Sequence, residues 1–246
     1  MEPVRTIARA RSARGEVVLR RRPAPSDVDE LIISGTFAID SMETSSERKL
    51  GGLAAGARRV LLGGLGLGYT AAAVLSNPVD RLDIVELEGC LVEWAQCGLT
   101  EVLQQVTADP RVRLYVADIA DVFRGSPLCS GPAGPSGPWD AILLDVDNGP
   151  DFLIHPQNAP LYAPPILSSA LRQLTPGGLL AIWCQGATPT LEATLRALGQ
   201  AVQAYRIEVQ REKRSFGYVI YTLRPAGSAP ICLGQNEAHG GVPHRT

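Results

Sequence analysis

Three acidic residues close three short apolar runs in this chain, and a glycine-rich run stands ahead of them. Val60-Leu61-Leu62 leads into Gly63-Gly64-Leu65-Gly66-Leu67-Gly68, and the helical stretch Tyr69 to Leu75 follows. Strand, glycines and helix in that order let a ligand approach the backbone, with Gly64, Gly66 and Gly68 shaping the turn and free N–H groups at the helix start. Glu86 ends the next run, Leu82 to Glu86, 18 residues beyond Gly68. A carboxylate there can accept hydrogen bonds from ribose hydroxyls. Asp118 follows Val112 to Val116 and could accept from an adenine amino group or equally cap the helix after it. Asp145 ends Trp139 to Asp145, at the strand edge where open α/β folds bind ligands. The plainer alternative keeps the glycines for helix–sheet packing and leaves Glu86 to solvent. The loop admits NAD(P) or a methionine-derived nucleoside.

A second tier of residues surrounds Asp145. Asp147 shares a loop with Asn148, Gly149, Pro150 and Asp151; paired carboxylates there could attract a cationic amine, but the same residues make an ordinary turn. His155 could act as a general base or simply face solvent. Tyr162 lines the pocket or packs in a helix turn. Trp94, Trp183 and Cys184 read as core. Glu43 and Glu47 could reach the substrate from the N-terminal side, although Glu47 also suits the first turn of a helix.

The elements that must position these groups alternate. The first ~45 residues carry β-rich runs, Glu16 to Arg20 and Glu30 to Ile33, separated by Pro23 to Asp27, a β-hairpin or meander. Thr44-Ser45-Ser46-Glu47 reads as a hydroxyl-capped helix start. Strands at 60–62, 82–86, 112–116, 139–145 and 179–183 alternate with helices at 69–75, 91–105, 161–174 and 189–201. Two last strands, 205–210 and 217–223, suggest an antiparallel edge hairpin. The fold class is α/β, Rossmann-like, with a mainly parallel doubly wound sheet. The domain reading is an N-terminal β segment over 1–45 and a nucleoside-binding domain over 46–224. Within it 125–138 is a flexible insert, and 225–246 is a disordered tail.

Bulk composition excludes several classes. The 246 residues are 45% hydrophobic and 20% charged, with a formal net charge of −2, ordinary for a globular protein and unlike a dedicated nucleic-acid binder. The runs Arg20-Arg21-Arg22 and Arg211, Lys213, Arg214 suit solvated edges. Five cysteines form no CxxC pair and no Cys/His metal spacing, so no metal is expected. Scattered thiols without a secretory signal fit the cytoplasm. No apolar run approaches the ~20 residues of a membrane helix.

Residues ~30 to ~224 resemble the spermidine synthase (aminopropyltransferase) family, within the class I fold of S-adenosylmethionine-dependent methyltransferases. The matching pieces are SMETSSE (41–47), VLLGGLGLGYT (60–70), IVELE (84–88), VRLYVAD (112–118), WDAILLDVDNGP (139–150), Leu161-Tyr162 and LTPGGLL (174–180). The resemblance implies S-adenosylmethionine or its decarboxylated form as donor, a small-molecule nucleophile, an amine above all, as acceptor, and a homodimer. It places Glu86 on the ribose, Asp118 by the adenine, and Asp145 where the family keeps the aspartate that takes a proton from the attacking amine. Three departures stand beside it. Leu67 replaces an acid that binds the donor's free amine, Leu50-Gly51-Gly52 replaces a Tyr-His-Glu stretch, and Asn148 replaces an aspartate. Alkylation, aminopropyl or methyl, is the expected chemistry, without typical spermidine synthesis. The rivals are a small-molecule methyltransferase, a non-catalytic nucleoside-binding regulatory homologue and an NAD(P) oxidoreductase.

Overall fold

The computed structural model describes residues 4–24, 26–126, 134–199, 201–211 and 214–225. Strands β1 (Arg5–Ser12), β2 (Gly15–Ala24), β3 (Ser26–Ile33) and β4 (Thr36–Asp40) form an antiparallel meander in chain order. Period-2 alternation sends Val17, Leu19 and Leu31 into a shared apolar cluster. On β2 the arginine run is spent on β3. Arg20 and Arg22 both reach Glu30, at 2.6 and 2.8 Å, and Arg21 reaches Asp29 at 2.7 Å. Burial pushes the Glu30 carboxyl up, but hydrogen bonds from Arg22 and Arg20 bring it below its ordinary value. β1 and β4 were not anticipated from sequence, because neither shows a strong apolar alternation.

Helix α1 (Ser45–Gly52) follows, without a side-chain capping bond from Thr44; the expected hydroxyl cap is absent because the Thr44 hydroxyl accepts from Arg48 Nε instead. The main sheet then comprises β5 (Arg59–Gly63), β6 (Arg81–Glu86), β7 (Val112–Val116), β8 (Trp139–Leu144), β9 (Leu174–Cys184), β10 (Ala201–Arg211) and β11 (Arg214–Arg224). Its order is β10-β11-β9-β8-β5-β6-β7. β5 to β9 pair in parallel, and β11 joins β9 antiparallel with β10 beyond it. This is the mainly parallel sheet closed by an antiparallel hairpin that the alternation predicts. The chain order reverses between β5 and β8, so their carboxyl ends open a crevice.

Helices α2 (Tyr69–Leu75), α3 (Gly89–Gln96), α4 (Glu101–Ala108), α5 (Ile119–Arg124), α6 (Pro164–Arg172) and α7 (Pro189–Leu198) cover the sheet. One core holds Leu61, Ile142, Leu167 and Leu180; the other, on the opposite face, holds Val60, Leu62, Ala71 and Leu103. Across the β8–β5–β6–β7 layer, buried Asp83 accepts from Arg81 Nε at 2.8 Å, Trp139 Nε1 at 3.0 Å and Tyr115 OH at 3.2 Å. Three sequence expectations need correction. The helix expected over 91–105 is two helices, divided at Gly98 (φ +64°) and restarted by Thr100, whose side chain accepts from Leu103 N. The helix expected over 161–174 is a 3-10 turn, Pro156–Tyr162, followed by α6, and β9 begins already at Leu174. α7 ends at Leu198 and β10 begins at Ala201, where the sequence suggested a helix to 201 and a strand from 205.

Residues 127–133 of the expected insert, 226–246 of the expected tail and Lys213 lie outside the described residues. Among those described, no helix is long and apolar enough to cross a membrane.

Candidate active site

The glycine-rich turn is built by close approach. Gly64, at φ +90°, has its Cα so near β8 that an added Cβ would stand 2.1 Å from the Asp145 carbonyl oxygen. Gly64 N donates to Val85 O at 2.9 Å and Asp145 N donates to Gly63 O at 2.8 Å, tying the turn to both neighbouring strands. Gly66 and Gly68 also have positive φ, +52° and +88°, conformations that suit residues without a Cβ.

One cavity at this edge is walled by Gly64, Gly66, Glu86, Asp118, Asp145 and Asp147, with His155 and Trp183 also in its lining. Leu31, Ile33, Ala38 and Ile39 of the N-terminal sheet form an apolar wall, and Glu47 of α1 contributes a carboxylate. The structure thus brings Gly64, Gly66, Glu86, Asp118, Asp145, Asp147 and His155 to one place, and leaves Tyr162 behind it; Gly68 lies outside the lining and faces α4, where an added Cβ would meet Leu103 and Val102 at 3.3 Å.

Glu86 is buried. Its Oε2 accepts from Leu65 N and its Oε1 from Glu88 N, both at 2.8 Å. Burial raises its carboxyl above the ordinary value despite these bonds. Asp118 caps α5 by accepting from Ala120 N at 2.8 Å while lining the cavity, so the capping and ligand-facing readings coexist.

Asp145 accepts at Oδ2 from Thr70 Oγ1 at 2.5 Å. Burial pushes its carboxyl up to about 6, and the Thr70 hydrogen bond pulls the other way. Thr70 sits in the first turn of α2 and is 2% exposed. Sequence reasoning passed over it; the signal was its place directly after the glycine run, on the turn that must meet β8.

Asp147 has a different set of partners. At φ +57° it accepts from the backbone N–H groups of Asn148, Ile154 and His155 and from Asn158 Nδ2. It folds the loop after β8 around itself. Tyr162 donates from its hydroxyl to Val146 O at 2.7 Å. Its phenol is raised well above its ordinary value by burial, so it is a fixed donor that holds the residue next to Asp145.

The family departures acquire local reasons. Leu67 packs with Val17, Leu19, Leu31 and Leu91, joining the glycine-rich loop to the N-terminal sheet. Gly51 lets α1 press on α2: an added Cβ would stand 2.6 Å from both Ala73 Cβ and Thr70 O. Asn148 O accepts from Gln185 N at 3.0 Å, joining the β8 and β9 loops.

Three buried polar side-chain atoms among the described residues have no hydrogen-bond partner: Glu88 Oε1, His155 Nε2 and Trp183 Nε1. All three residues line this cavity. Unpaired buried polar groups cost free energy, and their gathering around one cavity marks it as built for an occupant. Among the described residues no group of three or more His, Cys, Asp or Glu is placed to hold a metal ion.

Fold and crevice together define a Rossmann-like α/β domain with its site at the switch point of the sheet. The chain superposes on spermidine synthase from Thermotoga maritima with a TM-score of 0.70 at 16% identity, over 89% of this chain and 72% of that one. It superposes on human methyltransferase-like protein 13 in complex with SAH with a TM-score of 0.52 at 20% identity, over 76% and 81%. No family model matches the chain. Among curated proteins, it is 30% identical over 213 residues to the polyamine aminopropyltransferase of Mycobacterium tuberculosis, and 31% identical over 185 residues to polyamine aminopropyltransferase 2 of Streptomyces coelicolor. These alignments cover 82% and 72% of this chain but 38% and 31% of those relatives, so the chain spans about a third of their length. The chain is a homologue of the polyamine aminopropyltransferases, as its motifs implied.

Proposed function

We propose that this protein is a spermidine synthase-like transferase that alkylates a small-molecule nucleophile, an amine above all, from S-adenosylmethionine or its decarboxylated form. The observation that carries the reading is Asp145, held at the switch-point crevice with its carboxyl near 6. In the reaction the amine lone pair attacks the carbon bonded to the sulfonium. The carbon–sulfur bond breaks with its electron pair passing to sulfur, which leaves as a neutral thioether. The proton lost by nitrogen passes to Asp145, whose ionised form predominates at neutral pH while remaining a competent acceptor. Glu86 serves the ribose hydroxyls, Asp118 the adenine edge, and Gly64 and Gly66 the close backbone approach, with Gly68 shaping the turn against α4. Asp147 and Tyr162 support substrate binding by holding the loop after β8, and His155 faces the acceptor.

Methyl transfer from intact S-adenosylmethionine is a second reading. It is favoured by Leu67, an apolar residue committed to packing where the aminopropyltransferases carry an acid. A cytoplasmic setting accords with the unpaired thiols of Cys90, Cys97 and Cys184, and a homodimer with the family resemblance. The test is parallel calorimetric titration with S-adenosylmethionine, its decarboxylated form and methylthioadenosine. Saturable binding of at least one is expected, and the preferred donor then decides between methyl and aminopropyl transfer. Silence with all three refutes the reading.

A further inference from the structure

The crevice contains one polar contact that the transfer scheme has not used. Thr70 is 2% exposed and its hydroxyl donates to Asp145 Oδ2 at 2.5 Å. The threonine is held from several sides. Its carbonyl oxygen lies under Gly51 of α1, it is the second residue of α2 after the glycine-rich turn, and that turn is pinned to the Asp145 backbone through Gly63 and to Val85 through Gly64. The backbone next to Asp145 is held in turn by the Tyr162 hydroxyl, which donates to Val146 O. A β-branched side chain on a helix has few rotamers, so the donor direction is set by the backbone before any ligand arrives.

We propose that Thr70 is a positioning residue: its hydroxyl engages Oδ2 of Asp145 and leaves Oδ1 as the oxygen presented to the nucleophile. A carboxylate rotates about its last bond over a broad well; a buried donor on one oxygen removes that freedom and fixes which lone pair meets the substrate. The same bond favours the ionised form, so Thr70 keeps Asp145 able to accept a proton in a buried setting that disfavours charge. This inference rests on the transferase reading for its meaning, but its physical content does not require turnover.

The charged and titratable groups around Asp145 come from every wall. They are Glu47 from α1, Glu86 at the end of β6, Glu88 before α3, Asp118 before α5, Arg124 at the end of α5, Asp147 and His155 in its own loop, and Tyr162 from the 3-10 turn. The Thr70 hydroxyl donates directly to the Asp145 carboxylate, and its bond opposes the effect of burial on that group.

The experiment follows the Asp145 carboxyl carbon by carbon-13 NMR across pH 4 to 9 in the full chain, in the wild type, Thr70→Val and Thr70→Ser. Asp145→Asn assigns the signal. Loss of the hydroxyl in Thr70→Val moves the midpoint upward by roughly half a pH unit or more; Thr70→Ser restores it to within a few tenths. In turnover, the acid limb of kcat/KM moves up with it, kcat falls about tenfold or more at pH 7 with KM for the donor little changed, and Thr70→Val adds nothing to Asp145→Asn. A midpoint that is the same in wild type and Thr70→Val overturns the proposal even if transfer is observed. A shifted midpoint in a protein that binds no adenosyl ligand upholds the contact and refutes the transferase reading instead. If Thr70→Val does not fold, Thr70→Ala takes its place, with Thr70→Ser as the rescue; an unmoved midpoint there counts equally against the proposal.

Discussion

Replacing Gly64 with alanine, against the same change at Gly66, measures how tightly the nucleoside crevice is built. Both residues have positive φ, +90° and +52°, so both variants carry a backbone penalty of about 1–2 kcal/mol. Their surroundings differ. At Gly66 the added methyl meets only Ile39 Cγ2, at 4.0 Å, an ordinary contact. At Gly64 it lies 2.1 Å from the Asp145 carbonyl oxygen and 2.9 Å from its carbonyl carbon. That obstacle is backbone, fixed by the bond from Asp145 N to Gly63 O, and relieving it moves the end of β8 away from β5. Overpacking of this kind costs roughly 1–3 kcal/mol more. The total for Gly64→Ala is then about 2–5 kcal/mol, against about 1–2 kcal/mol for Gly66→Ala. In a domain of this size that corresponds to a fall in Tm of roughly 4–20 °C against roughly 2–8 °C. The assay is thermal unfolding followed by circular dichroism, with and without methylthioadenosine. Gly64→Ala also loses ligand-induced stabilisation, because the displaced strand end carries Asp145, whereas Gly66→Ala keeps most of it. Equal Tm values and equal ligand shifts for the two variants would refute the close-approach reasoning.

Two further outcomes follow from the carboxylate and its support. Burial raises Asp145 from 3.8 to about 6, so the folded protein binds the extra proton between those values and the ionised group opposes folding above them. Asp145→Asn therefore abolishes transfer yet raises Tm at pH 7 to 8, an advantage that fades as pH falls through about 6 and is gone near 4 in a Tm–pH series; a lower Tm at pH 8 contradicts the burial argument. Tyr162→Phe leaves Val146 O without its donor and costs about 1–2 kcal/mol in urea unfolding. Transfer activity falls by a larger factor than donor affinity, and an unchanged kcat contradicts the supporting role.

Much of this arrangement was legible in the sequence because the period of a fold is written in single residues. The strand–glycine–helix unit at 60–75 and the acids ending β6, β8 and the turn after β7 follow from alternating apolar runs, and the structure gathers them at one crevice. What escaped needed three dimensions. Thr70 is an unremarkable helix residue until β8 is laid beside β5. The division of the helix expected over 91–105 depends on Gly98 taking a positive φ, which apolar spacing does not encode. Asp147 read equally as a carboxylate for a cationic amine and as part of an ordinary turn; its hydrogen bonds are decided by how the following eleven residues curl back on it. Leu67 read as a missing acid, and only the N-terminal sheet shows that the side chain has an apolar partner set of its own.

That partner set has a practical consequence for handling the protein. Val17, Leu19 and Leu31 on one side and Leu67 and Leu91 on the other are each buried by contact across the boundary near residue 45. Cutting the chain there would uncover apolar side chains on both fragments, next to the unpaired edge of a short meander on one of them. The pieces would be inclined to self-associate. The meander is thus a shield for the glycine-rich loop, and expression variants trimmed to the larger portion alone are expected to be recovered as aggregates.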